Sequence, residues 1–177
     1  MSISTPHRRP TAPEIRRALS HASFAVLSHV TPAGAPRSSG VVYTMSGDRM
    51  YVVVAEDSWK ARHFAADGHV AVTVPIRRGG LLSLLFPIPP ATVSFPAVAV
   101  VHSPDVLTGL PGLARLLPEE RRSRCAVLEI RPTGHFLTYG IGVPLRRMRD
   151  PAASRARVPV GAATSPSRTE PHRSEPT

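Results

Sequence analysis

Cysteine is almost missing from this chain, with Cys125 the only one among 177 residues. No internal disulfide can form, and no Cys/His spacing suits a metal, so neither a disulfide scaffold nor a structural zinc site is available. Cys125 lies in the apolar run RCAVLEI and reads as a buried, inert thiol in a reducing, cytoplasmic setting. Aromatic residues make up only 5%, with a single tryptophan, Trp59. The formal net charge is +10, yet no basic stripe is interleaved with aromatics, so a specific nucleic-acid surface is not expected. The positive excess is spread over both ends and the body, which favours anionic ligands in general. Nucleophile elbows, H-E-x-x-H helices, phosphate-binding Gly-rich loops and paired carboxylates are also lacking, so no side chain is assigned as catalytic and no metal is expected. Glu56 and Asp57 are adjacent and diverge on a strand end.

Two hydrophobic stretches raise the question of a membrane. ASFAVLSHV follows arginines in the outline of a leader, but Ser28 and His29 interrupt it and it reads better as a strand. Gly79 to Val101 carries no charge and is long enough to span a bilayer. Pro87, Pro89, Pro90 and Pro96 would break such a helix repeatedly. The stretch is expected to be buried protein or subunit interface, and no membrane segment is expected.

Lysine is as scarce as cysteine: Lys60 is the only one among 22 basic residues. A compact ammonium in a chain that otherwise uses arginine is either chance or a local need for a mobile point charge. The surrounding pattern gives it a place. Residues 1–10 are polar and read as disordered. TAPEIRRALSHA reads as a helix, with Thr11 as cap and Glu14 as its capping-box partner. SFAVLSHVT, RSSGVVYTM and MYVVVA read as three strands joined by the turns PAGAP and SGDR. DSWKARHFAAD then switches to helical spacing, with Asp57 or Ser58 as N-cap.

HVAVTVPI returns to strand, RRGG is a loop, and LLSLLF is open between a helical turn and a buried strand. ATVSFPAVAVVH is a strand in which Pro96 suggests an edge or a bulge. A helical region broken at Pro111 precedes two closing strands, RCAVLEIRP and HFLTYGIG. Residues 151–177 have no apolar period and read as a disordered tail. The expectation is one folded domain over residues 11–150. It is mainly β with short helices: an antiparallel barrel of six to seven strands.

The run VTPAGAPRSSGVVYTMSGDRMYVVVAEDSWKARHFAADGHVAVTV resembles the pyridoxamine 5′-phosphate oxidase-like flavoproteins, which have a split β-barrel fold. The shared features are a strand and turn, G-x-P, a strand ending in an aromatic, D-R-hydrophobic, and S-x-K-x-R before a valine-rich strand. The resemblance implies a homodimer that binds FMN between subunits, with an 8-hydroxy-5-deazaflavin cofactor or haem in other branches. It implies a phosphate contact from Lys60, with Ser58 beside it and Arg37, Ser38 and Ser39 on the strand along the cofactor. Trp59 either covers a flavin ring or packs. Arg77 and Arg78 either lie in a solvated loop or meet an acidic cofactor tail. Val54, Ala55 and His63 depart from the residues common in the family, and its oxidase-specific C-terminal segment has no match. The implied activity is therefore hydride transfer between FMN and another small organic substrate, not pyridoxamine phosphate oxidation.

Overall fold

The computed structural model describes residues 9–78, 90–115, 117–144, 148 and 150–161. The chain opens with α1 (Ala12–His21), started by the expected capping box: Thr11 Oγ1 accepts from the Glu14 amide, and the Glu14 carboxylate accepts from the Thr11 amide at 2.7 Å. Ile15 and Leu19, one turn apart, are buried on the barrel.

β1 (Phe24–Val30) alternates strictly, burying Ala25, Leu27 and His29. It turns at Thr31–Ala35, where Gly34 takes φ of 80°, and pairs antiparallel with β2 (Pro36–Val42). β3 (Thr44–Ser46) pairs with β4 (Arg49–Ala55), and α2 (Trp59–Ala66) follows. β5 (His69–Ile76), β6 (Ala91–His102), β7 (Cys125–Pro132), β8 (His135–Tyr139) and β9 (Arg155–Pro159) complete the sheet. Between β6 and β7 lie a 3₁₀ turn (Pro104–Gly109), α3 (Pro111–Ala114) and α4 (Glu119–Arg122); α5 (Pro151–Ser154) precedes β9.

The antiparallel sheet runs β2-β1-β5-β6-β7-β4-β3, with β8 and β9 branching from β6. It curls around one core that includes Leu27, Met50, Val72, Phe95, Leu128 and Ile130. A second cluster on the outer face of β4 and β7 packs Leu107, Leu110 and Leu113 against Cys125 and Val127. β7 is therefore buried on both faces from Cys125 to Ile130. The Cys125 thiol is free and buried, and burial, with Glu56 nearby, pushes its pKa up.

Three expectations are corrected. RSSGVVYTM is not one strand: it breaks at Tyr43, which turns inward and donates its hydroxyl to the Leu19 carbonyl at 2.6 Å, so the chain leaves β1 for β4. Pro96 marks neither an edge nor a bulge: β6 lies between β5 and β7, and its register with both is unbroken. The Pro96 carbonyl accepts from Thr133, so its missing N–H faces the β7–β8 turn and the ladder to β5 loses no bond. The barrel does not stop at residue 150, because β9 pairs with β8 along its whole length and extends the sheet to Pro159. LLSLLF, the outer parts of both expected disordered termini, and most of the uncharged stretch before β6 lie outside the described residues. No helix among the described residues is long and apolar enough to cross a membrane.

Candidate functional site

The curl of the sheet leaves a seam. β2 bonds only to β1, and β4 beyond Tyr51 bonds only to β7, yet the two strands come into contact. A cleft of about 660 Å³ opens there, walled by the ends of β2 (Gly40 to Val42) and β4 (Val53 to Ala55), by Leu113 and Leu117, and by Ser58 and Lys60. Its size is that of a cofactor pocket.

α2 places the polar end. Ser58 is the N-cap, its Oγ accepting from the Ala61 amide at 3.2 Å, so the helix starts at the cleft wall and its first turn presents the positive end of the dipole. Lys60 Nζ lies 5.1 Å from the Trp59 ring centroid, and Arg37 Cζ lies 4.8 Å from the same ring. Neither cation has a carboxylate within ion-pair distance among the described residues. Two unpaired cations share one indole beside the cleft.

Behind Trp59 lies a packed ring cluster. His29 stacks on the indole, with centroids 5.6 Å apart and planes 17° apart, and Phe64 packs against it at a tilt, centroids 4.9 Å apart. His29 Nε2 meets His63 Nδ1 at 3.0 Å. The buried His29 Nδ1 has no partner among the described residues. Desolvation, then His63 and Arg37, lower the His29 pKa, against an opposing pull from Asp67.

Lys60, Ser58, Trp59 and Arg37 are thus gathered at one end of the seam. Ser38 is on the opposite face of β2, hydrogen-bonded to Ser28 at 2.7 Å, whereas Ser39 shares the inner side with Arg37 and Val41. Arg77 lines a different cavity, of about 610 Å³, between α1 and the end of β5. Arg78 is tied to the Val143 carbonyl and to Met148 sulfur.

Sequence reasoning passed over the His29–His63 pair. The period of β1, which puts Ala25, Leu27 and His29 on one face, carried the signal that His29 is buried. Leu113 and Leu117 gave no local signal, because only the tertiary fold brings them to β4.

No protein-family model and no curated protein sequence matches the chain. Solved structures do share its shape. An F420 reductase superposes with a TM-score of 0.52 at 19% identity, covering 68% of this chain and 94% of its own. A candidate pyridoxamine 5′-phosphate oxidase from Listeria innocua gives 0.54 at 15%, covering 68% and 92%. The haem storage protein HutZ from Vibrio cholerae gives 0.56 at 16%, covering 72% and 94%. The chain has the split β-barrel fold of the pyridoxamine 5′-phosphate oxidase-like proteins. At these identities the likeness is one of fold, and in this split barrel the seam cleft rests on the chain's own residues.

Proposed function

We propose that the chain is an FMN-dependent oxidoreductase acting on a small organic substrate. The observation that carries this reading is the pair of unpaired cations, Lys60 and Arg37, beside the capped start of α2 at a cleft of cofactor size. A flavin phosphate is a dianion, which Lys60 would meet as a point charge and Arg37 as a fork of donors, with free amides of the α2 first turn adding to both. Val41, Val53 and Val54 offer an apolar wall, and the open edges of β2 and β4 offer backbone donors and acceptors to a planar ring. A bound flavin supplies the hydride chemistry, so the protein needs no nucleophile of its own. The roles left to this chain are to bind, orient and shield.

The same phosphate contacts would hold a deazaflavin cofactor, but Arg77 and Arg78 lie away from the cleft and lend no support to an acidic-tail site. A haem ligand is not favoured either: neither His63 nor His102 lines the cleft.

A second copy of the chain is proposed to complete the molecule. The outward face of β2, β1, β5, β6, β8 and β9 carries no carboxylate, and on it Val42, Phe24 and Leu137 are 56%, 46% and 50% exposed. These exposed apolar side chains, set among the Ser28–Ser38 and Thr73–Ser94 hydroxyl pairs on a face without acidic groups, suit contact with a second copy.

Equilibrium titration with FMN, the deazaflavin cofactor and haem tests the cofactor reading. FMN is expected to bind, and Lys60→Ala to weaken it by about 1.5–3 kcal/mol, the scale of a charge-assisted hydrogen bond. Unchanged affinity in a folded Lys60→Ala protein would remove the phosphate assignment.

A further inference from the structure

The His29–His63 pair has no part in the reading above, yet it holds the helix that carries Lys60. His29 belongs to β1, opposite Arg37 of β2 in register. His63 belongs to α2, one turn after Trp59 and Lys60. Their 3.0 Å contact, together with the stacking of His29 on Trp59, joins the start of α2 to the barrel wall.

The geometry selects one arrangement of protons. A hydrogen bond between two neutral imidazoles needs one N–H and one lone pair. Were His63 the donor, His29 would carry its own proton on Nδ1, a buried donor with no acceptor, which is costly. With His29 Nε2–H donating to His63 Nδ1, the unpartnered atom is only a bare lone pair. His29 is therefore the donor.

That arrangement does not tolerate a further proton. Adding one to His63 places an N–H on Nδ1, pointing at the N–H of His29, and the bond is lost. Adding one to His29 puts an N–H on the buried Nδ1. The nearest fixed cation is unhelpful to a further positive charge: Arg37 stands opposite His29 in register on β2 and lowers its pKa. Asp67 at the end of α2 is the opposing carboxylate, and His69 at the start of β5 already engages it at 2.7 Å.

We propose that His29 and His63 form a proton-sensitive latch, closed when both rings are neutral, that positions Trp59 and with it Lys60 and Arg37 for an anionic cofactor. The coupling to a cofactor rests on the function proposed above; the latch itself does not. The two are positioning residues and touch no reacting atom. The sign follows from the lowered His29 pKa: the latch is closed above the ordinary histidine value of about 6.5 and opens as pH falls below it.

Trp59 is the only tryptophan, so its fluorescence reports on the latch without any ligand. The experiment follows that emission from pH 7.5 to 5.5 and, in parallel, the FMN dissociation constant, for wild type, the double variant His29→Asn with His63→Asn, and His63→Phe. The asparagine pair keeps one donor and one acceptor at the contact but does not titrate, whereas phenylalanine at position 63 keeps the bulk and loses the acceptor.

Wild-type emission is expected to titrate and that of the double variant to stay flat. The FMN constant should rise about fivefold more on acidification in wild type than in the double variant, the equivalent of one hydrogen bond. The second ionisation of the FMN phosphate, near pH 6, is common to both proteins and cancels in the ratio. His63→Phe should bind FMN weakly at every pH. Flat wild-type emission, or the same titration in the double variant, overturns the latch even if FMN binds tightly. An intact emission titration with no FMN binding at any pH overturns the cofactor reading, and the coupling with it.

Discussion

Glu129 is the only acidic side chain among the described buried residues, and its neighbours explain why it stays ionised. Arg131 Nε lies 2.8 Å and Arg49 Nη1 2.5 Å from one carboxylate oxygen, and His102 Nε2 lies 2.7 Å from the other. Arg131 above all, then His102 and Arg49, hold its pKa down to about 2 from an ordinary 4.5, against burial acting the other way. A depressed carboxylate pKa contributes stability that is present above the unfolded value and is lost as pH falls from 4.5 towards 2. The contribution at neutral pH is on the order of 3 kcal/mol at most, because both arginines are half in water. Glu129→Gln should lower the melting temperature at pH 7 and shrink the difference from wild type at pH 3. A parallel offset at both pH values would show that the carboxylate's charge is not what matters. Lys60 and Trp59, adjacent in sequence, answer a different question: the lone lysine stands at the cleft wall, against the lone indole, rather than out on a solvated helix face.

At the scale of elements, two short connections set the positions of the longer pieces. Tyr43 ends β2 by burying its ring and bonding the Leu19 carbonyl, which moves the following residues to another partner strand. Gly68 joins α2 to β5 where the backbone passes close to β6, its carbonyl accepting from Ala99 at 2.7 Å. A Cβ on Gly68 would lie 2.4 Å from the Ala99 carbonyl oxygen, so one of the two backbones would have to move. Gly68→Ala is expected to cost about 1–3 kcal/mol in urea unfolding, as overpacking does. It should also weaken FMN binding, since it displaces α2. A Gly68→Ala protein as stable as wild type would mean that the close approach relaxes at no cost.

For the whole molecule, the decisive feature is asymmetry of cover. The outer face of β4 and β7 is roofed by Leu107, Leu110 and Leu113, while the outer face from β2 to β9 leaves Phe24, Val42 and Leu137 exposed. If a second copy covers it, wild type should sediment as a dimer at micromolar concentration. Val42→Asp with Leu137→Asp should then give a folded monomer by circular dichroism and sedimentation. A wild type that stays monomeric would remove the homodimer. The small cavity-facing cluster around Lys60 would still have to be tested by FMN titration alone.

Much of the local structure was legible in the chain itself. The Thr11 and Glu14 capping box, the two-residue period of β1 and β4, the turn at Gly34 and the switch to helical spacing at Ser58 each depend on a few neighbouring residues. Lys60 stood out for the same reason, as a singular residue at a helix start. What tertiary structure alone decided depends on partners far apart in sequence. Pairing chose β4 over β1 after Tyr43, and recruited Arg155–Pro159, a run with little apolar content, because β8 offered an open edge. Curling of the sheet made the seam between β2 and β4, and so the cleft. Packing of α2 on β1 brought His29 to His63, 34 residues apart, and folding brought Arg49 to Glu129, 80 residues apart. Propensity and periodicity act over one turn or a few strand residues, whereas strand partners and buried polar contacts are settled by the global packing.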